Sequence, residues 1–133
     1  MQFGYTVLFV PDVAAAIAFY DAAFGLKAKM VNQAFGMLDT GSTTLAFGWE
    51  DNERKELADA GSQLAFRPNI AGGEPAGIQI SLIAQNVQTA YDKAISAGAI
   101  GVYPPRQMPW GQWVSRVRDL NGVLISIVTA PRF

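Results

Sequence analysis

A chain of 133 residues, half of them hydrophobic, is long enough for one ordinary domain with a real core. Its formal net charge of −1 gives no basic footprint for nucleic acid. It has no cysteine, which excludes disulfides, thiol nucleophiles and thiolate metal sites, and no histidine, which argues against transition-metal chemistry.

Gly4 to Val10 is apolar and β-rich and predicts a strand, which Pro11 ends because proline cannot donate to a ladder. Asp12 is a good N-cap for the helix that follows, and Val13, Ile17, Tyr20 and Phe24 recur at the spacing of one helix face. The small Ala14–Ala16 run suits close packing of that helix on a sheet, and Gly25 supplies its stop. Strands are expected over 26–32, 34–39 and 43–49, with the turn Asp39-Thr40-Gly41 before the last of them. Residues 50–76 form an acidic segment and linker. Glu50, Asp51, Glu53, Glu56 and Asp59 alternate with Arg54 and Lys55, as on a solvated helix or lid, and Asn69 to Gly77 is rich in Gly and Pro. A strand over 78–84, a helix capped by Asn86 with the stripe Val87, Tyr91 and Ala94, and a stop at Gly98 come next. Strands over 101–103, 112–118 and 123–129 complete the chain, with Asp119-Leu120-Asn121-Gly122 as the turn before the last.

The same plan is therefore present twice. An offset of 74 residues carries Asp12 onto Asn86, Ile17 onto Tyr91 and Tyr5 onto Gln79. The correspondence lies in the order of cap, stripe, glycine and turn rather than in residue identity. It predicts a single domain, residues 1–133, made of a first module over 1–49, the middle segment, and a second module over 77–130.

Val10-Pro11-Asp12-Val13, then Phe19-Tyr20 and Gly25-Leu26, resemble the first half of the vicinal oxygen chelate superfamily of glyoxalases, bleomycin-resistance proteins and extradiol dioxygenases. Pro109-Trp110-Gly111, then Asp119-Leu120-Asn121-Gly122 before a final apolar strand, are similar to the Pro-Trp-Gly and Asp-Pro-Asp-Gly signatures of its second half. The resemblance implies an α+β fold of two βαβββ modules whose curled mixed sheets enclose a shared cleft. It also implies metal ligands on the first and last strand of each module, at positions held here by Tyr5, Ala46, Gln79 and Ser126. Only Gln79 suits a metal there, since Tyr, Ala and Ser do not make a zinc, nickel or iron site. No carboxylate falls on an inward strand position, so a general base is missing as well.

Strand alternation places Tyr5, Val7 and Phe9 on one inward face and Gln79, Ser81 and Ile83 on its counterpart. Tyr5 and Gln79 either satisfy one another or contact a ligand. Ser126 is a small inward filler or a further contact. Arg116 shares the parity of Gln112 and Val114, where it could meet a ligand carboxylate or phosphate or reach to solvent. Trp110 and Trp49, at a turn and a strand end, could stack on a planar ligand or pack internally, with Trp113 a weaker candidate. Phe35 is weaker still, because its parity with Met37 places it on the core side.

These expectations converge on metal-independent small-molecule binding of the bleomycin-resistance type, without cofactor, in which an apolar or aromatic compound is sequestered. Antibiotic resistance and a homodimer with shared clefts are what the resemblance implies. The alternatives are an enzyme of the superfamily with an atypical or lost metal site, and a structural or partner-binding module. No run approaches the roughly 18 apolar residues of a membrane span. The N-terminus lacks a basic region followed by an apolar run, so a soluble, cytoplasmic protein is expected.

Overall fold

The computed structural model describes residues 1–131. Its elements run β1 (Tyr5–Val10), α1 (Val13–Phe24), β2 (Lys27–Val31), β3 (Phe35–Asp39), β4 (Thr44–Trp49), α2 (Glu50–Asp59), β5 (Gln79–Ile83), α3 (Val87–Ser96), β6 (Ile100–Gln107), β7 (Trp113–Arg118) and β8 (Leu124–Val128). The strands form two four-stranded mixed sheets, ordered β1-β4-β3-β2 and β5-β8-β7-β6, which gives an α+β fold with βαβββ order in each sheet. Two compact units result, one of residues 1–21 with 25–68, the other of residues 22–24 with 69 onward. Among the described residues, no helix is long and apolar enough to cross a membrane.

In the first unit, β1 and β4 pair in parallel with Val7 opposite Ala46 and Phe9 opposite Gly48. A parallel pair needs a crossover, and α1 supplies it on one face of the sheet. The Asp12 carboxylate accepts from the Ala15 amide at 3.0 Å to start this helix. Gly25 ends it in the left-handed region at φ 70°, with the Leu26 amide donating to the Tyr20 carbonyl at 3.3 Å. Val13, Ala16 and Tyr20 are buried, as are Leu38, Leu45 and Phe47. The Tyr20 ring meets Phe47 edge-on at 4.9 Å. Gly36 lets the helix come this close, because a Cβ there would lie 3.0 Å from Val13 and 3.1 Å from Ile17.

The second unit repeats the scheme. β5 and β8 pair in parallel with Ser81 opposite Ser126. α3 starts at Asn86, whose side chain accepts from the Thr89 amide at 3.0 Å. Val87 and Ala94 of this helix are buried, as are Val117, Ile125 and Ile127 of the sheet. β6 is longer than the expected three-residue strand and runs through Pro104 and Pro105. It is the edge strand, where prolines are tolerated, and its register against β7 shifts twice, between Gly101 and Tyr103 and between Tyr103 and Arg106.

The middle segment begins as the helix α2, with Arg54 close to Asp51 at 3.3 Å and Lys55 to Asp59 at 2.6 Å. The chain then brings Phe66 against Phe9, ring centroids 5.3 Å apart, and under the Arg54 guanidinium at 4.9 Å.

The Asp119 turn is the most fully bonded of the connections. Asp119 is only 3 % exposed, and its Oδ1 accepts from the amides of Asn121 at 2.8 Å and Val123 at 2.9 Å. Gly122 closes the turn at φ 86°, with a hypothetical Cβ 2.7 Å from the Ile70 carbonyl oxygen. Replacing Asp119 by Ala leaves two backbone donors without their charged acceptor. We expect this to cost about 2–3 kcal/mol, read as a lower urea midpoint at unchanged m-value. A midpoint equal to that of the parent would show that the turn does not depend on this carboxylate.

Candidate functional site

Helix α3 covers one face of the second sheet, and strand alternation sends every other residue to the opposite face. Gln79, Ser81 and Ile83 of β5, Ser126 and Val128 of β8, and Val114 and Arg116 of β7 emerge there together. The pairings Ser81–Ser126, Arg116–Ser126 and Val114–Val128 set them side by side. With Met108, Trp110, Gln112 and Pro131 they line a cavity of about 360 Å³. Four of the sequence candidates, Gln79, Trp110, Arg116 and Ser126, thus meet at one place.

Their polar atoms are not equally available. Ser126 is 1 % exposed, and its hydroxyl donates to the Ser115 carbonyl at 3.3 Å, so it acts as a small filler of the floor. The Gln79 amide donates to the Ser81 hydroxyl at 3.1 Å, two residues along its own strand. Trp110 is 53 % exposed, yet its indole N–H donates to Gln112 Oε1 at 2.9 Å. Gln112 is itself buried and anchored to the Thr129 carbonyl at 2.9 Å. The tryptophan therefore spends its only donor inside the protein and presents a fixed apolar ring. Arg116 is half-buried, and its Nε is shielded from solvent without an acceptor. Its guanidinium lies 5.3 Å from the centre of the Tyr103 ring.

The first sheet has its own open face. Val7, Phe9, Phe35, Gly48 and Trp49 line a cavity of about 360 Å³, rimmed by Asn52, Glu53 and Glu56 of α2. Tyr5 is exposed on the same strand as Val7, its ring edge-on to Phe35 at 6.4 Å. Phe35 corrects an expectation. It pairs with Gly48 on the open face, while Gly36 and Leu38 take the face under the helix. Trp49 sits at the end of β4 and also borders a second cavity with Pro11, Asp12 and Val31. Trp113 has the opposite parity to Val114 and lines a separate cavity of about 270 Å³ with Asn86, Gln88 and Pro105.

Sequence reasoning missed the anchoring role of Gln112, the ring of Tyr103 beside Arg116, and the placement of Glu53 and Glu56. The parity of Gln112 with Val114 and Arg116 was the available signal for the first. The others depend on bulges and on which face α2 presents, and neither leaves a mark in the local sequence.

The model of the Glyoxalase/Bleomycin resistance protein/Dioxygenase superfamily matches residues 2–127. The chain belongs to this superfamily. Among solved structures, a protein of unknown function from Agrobacterium tumefaciens str. C58 is similar with TM-score 0.79 at 21% identity, covering 98% of this chain and 95% of that one. A glyoxalase-related enzyme from Fulvimarina pelagi gives TM-score 0.77 at 20% identity, covering 98% and 89%. A member of the superfamily from Sphaerobacter thermophilus DSM 20745 gives 0.70 at 23% identity, covering 98% of each chain. Likeness at these identities establishes the fold alone. None of the curated proteins matches the chain.

The positions at which the superfamily's metalloenzymes place their ligands do not suit a transition metal here. Ala46 is fully buried and has no donor atom, and Ser126 is committed to Ser115. Among the described residues, no three His, Cys, Asp or Glu side chains converge as a metal-holding group. Elemental analysis of dialysed protein is therefore expected to find zinc, nickel and iron far below one per chain. A value near one of any of them would overturn this assignment.

Proposed function

We propose that the protein is a metal-independent small-molecule binder of the bleomycin-resistance type, which sequesters an apolar or aromatic compound on the open face of its second sheet. The observation that carries this reading is the locked Trp110 ring, exposed over a cavity with apolar walls (Ile83, Val114, Val128, Met108) and a few polar atoms. Such a lining suits ligand burial with a small number of orienting contacts. The donor set at the superfamily's ligand positions favours binding over metal chemistry. Tyr5 and Trp49 belong to the open face of the first sheet, which we read as a separate candidate contact surface. Antibiotic sequestration is the role this type of protein suggests.

A second reading, an enzyme of the superfamily, is favoured by one observation. Glu53 and Glu56 bring carboxylates to a cavity whose strand residues have none. Loss of a measured turnover in Glu53→Gln or Glu56→Gln would select it.

Binding should be visible as saturable quenching of tryptophan fluorescence by members of a panel of planar aromatic compounds, 2-naphthamide among them. A stacked ring contributes about 0.5–1.5 kcal/mol beyond area burial, so Trp110→Ala should weaken binding about tenfold. Equal affinity for the parent and for a folded Trp110→Ala variant would show that the ligand sits elsewhere.

We also read the protein as a cytoplasmic homodimer. Each sheet leaves two edge strands, and exposed edges are usually paired or covered. Light scattering should give about twice the 14.3 kDa chain mass. A monomer at micromolar concentration would count against this assembly.

A further inference from the structure

The charge of the ligand is written in β6 and β7. Tyr103 stands directly opposite Arg116 across the ladder, and Arg106 stands opposite Val114. Both guanidiniums reach the same ring, with the Arg106 carbon 5.1 Å from its centre and the Arg116 carbon 5.3 Å. A ring quadrupole attracts each cation, but it does not neutralise either of them.

No carboxylate among the described residues does so. The ion pairs among the described residues belong to Lys27, Arg54 and Lys55, and none involves Arg106 or Arg116. The polar residues that line the cavity beside Arg116 are Gln79, Ser81, Gln112 and Ser126, all neutral. Arg116 Nε is shielded from solvent and has no acceptor among the described residues. A buried donor on a cation is costly to leave unmade. The corner is thus a preformed positive site that lacks its counter-charge.

Its geometry also limits the size of the anion. A guanidinium edge offers parallel N–H donors that match the two oxygens of one carboxylate. A dianionic phosphate calls for further cations, and Arg106 is exposed and does not line the cavity.

We propose that Arg116 receives the carboxylate of a planar ligand lying against Trp110, and that Tyr103 is a positioning residue that holds the guanidinium in place. The proposal rests on the reading of this face as the ligand-binding surface and adds the ligand's charge to it.

The test compares 2-naphthoate with 2-naphthamide, two probes of nearly the same shape that differ in charge, by fluorescence titration and calorimetry of the full chain. Wild type should bind the acid at least tenfold more tightly than the amide, as a charge-assisted bond predicts. In Arg116→Gln that preference should vanish. In Arg116→Lys it should fall, because an ammonium cannot make the paired contact. Tyr103→Leu should reduce the preference severalfold, and Tyr103→Phe should restore it, which a merely structural loss would not do.

Equal binding of acid and amide by wild type overturns the carboxylate assignment and leaves the ligand surface standing. So does a preference that survives in Arg116→Gln. Binding of 2-naphthyl phosphate more tightly than 2-naphthoate overturns the choice of a monoanion. If neither naphthoate nor naphthamide binds, both this proposal and the reading beneath it fail.

Discussion

Parallel pairing of the first strand with the last is the constraint on which the rest of each sheet depends. Two parallel neighbours cannot be joined by a hairpin, so the chain must cross over one face of the sheet to return. α1 and α3 make that crossing. Once they lie there, Leu45 and Phe47, or Ile125 and Ile127, have a partner to bury against. The residues between them are sent to the other face. Val7 and Phe9 on one sheet, and Ser81 and Arg116 on the other, emerge there because their neighbours are buried against the helices.

That division separates the residues that hold the fold from those on the open face. The helix-facing residues carry the packing energy, and they are large and apolar in both units. Ala46 and Ser126, at the positions where the resemblance implies metal ligands, are small and buried. What the second sheet offers instead is a tryptophan whose polar edge is already satisfied and an arginine whose charge is not. On the reading proposed above, the first would direct affinity toward flat apolar surface, and the second would select among flat molecules by charge.

The legible parts of the fold were those set by local chemistry. Asp12 and Asn86 cap helices because a short polar side chain reaches the free amides of the next turn, and Gly25 and Gly122 turn the chain because they accept a positive φ. Facing parity on β5, β7 and β8 was readable from strand alternation, which assigns Gln79, Arg116 and Ser126 to one face, while Trp110 was chosen from its turn. Phe35 was not readable in this way. Two large apolar residues, Phe35 and Met37, suggested the buried side, whereas close approach of α1 requires the glycine between them to face the helix. The length of β6 was hidden by two prolines that would end an interior strand but not an edge. The bond from Gln112 to Thr129 spans 17 residues, so only the inward parity of Gln112 hinted at its anchoring role.

The prolines of β6 have a further consequence. Alternate residues of an edge strand direct their amides inward to the ladder and outward to solvent, so two adjacent prolines remove one donor from each side. The inward loss coincides with the register shift between Tyr103 and Arg106. The outward loss leaves a gap in the row of hydrogen-bonding groups that an approaching strand would have to match. This rim is therefore a poor template for amyloid-like stacking, even though Ile100 and Val102 stand exposed beside it. One of the two register shifts that flank Tyr103 thus falls at the same dipeptide that guards the strand against aggregation.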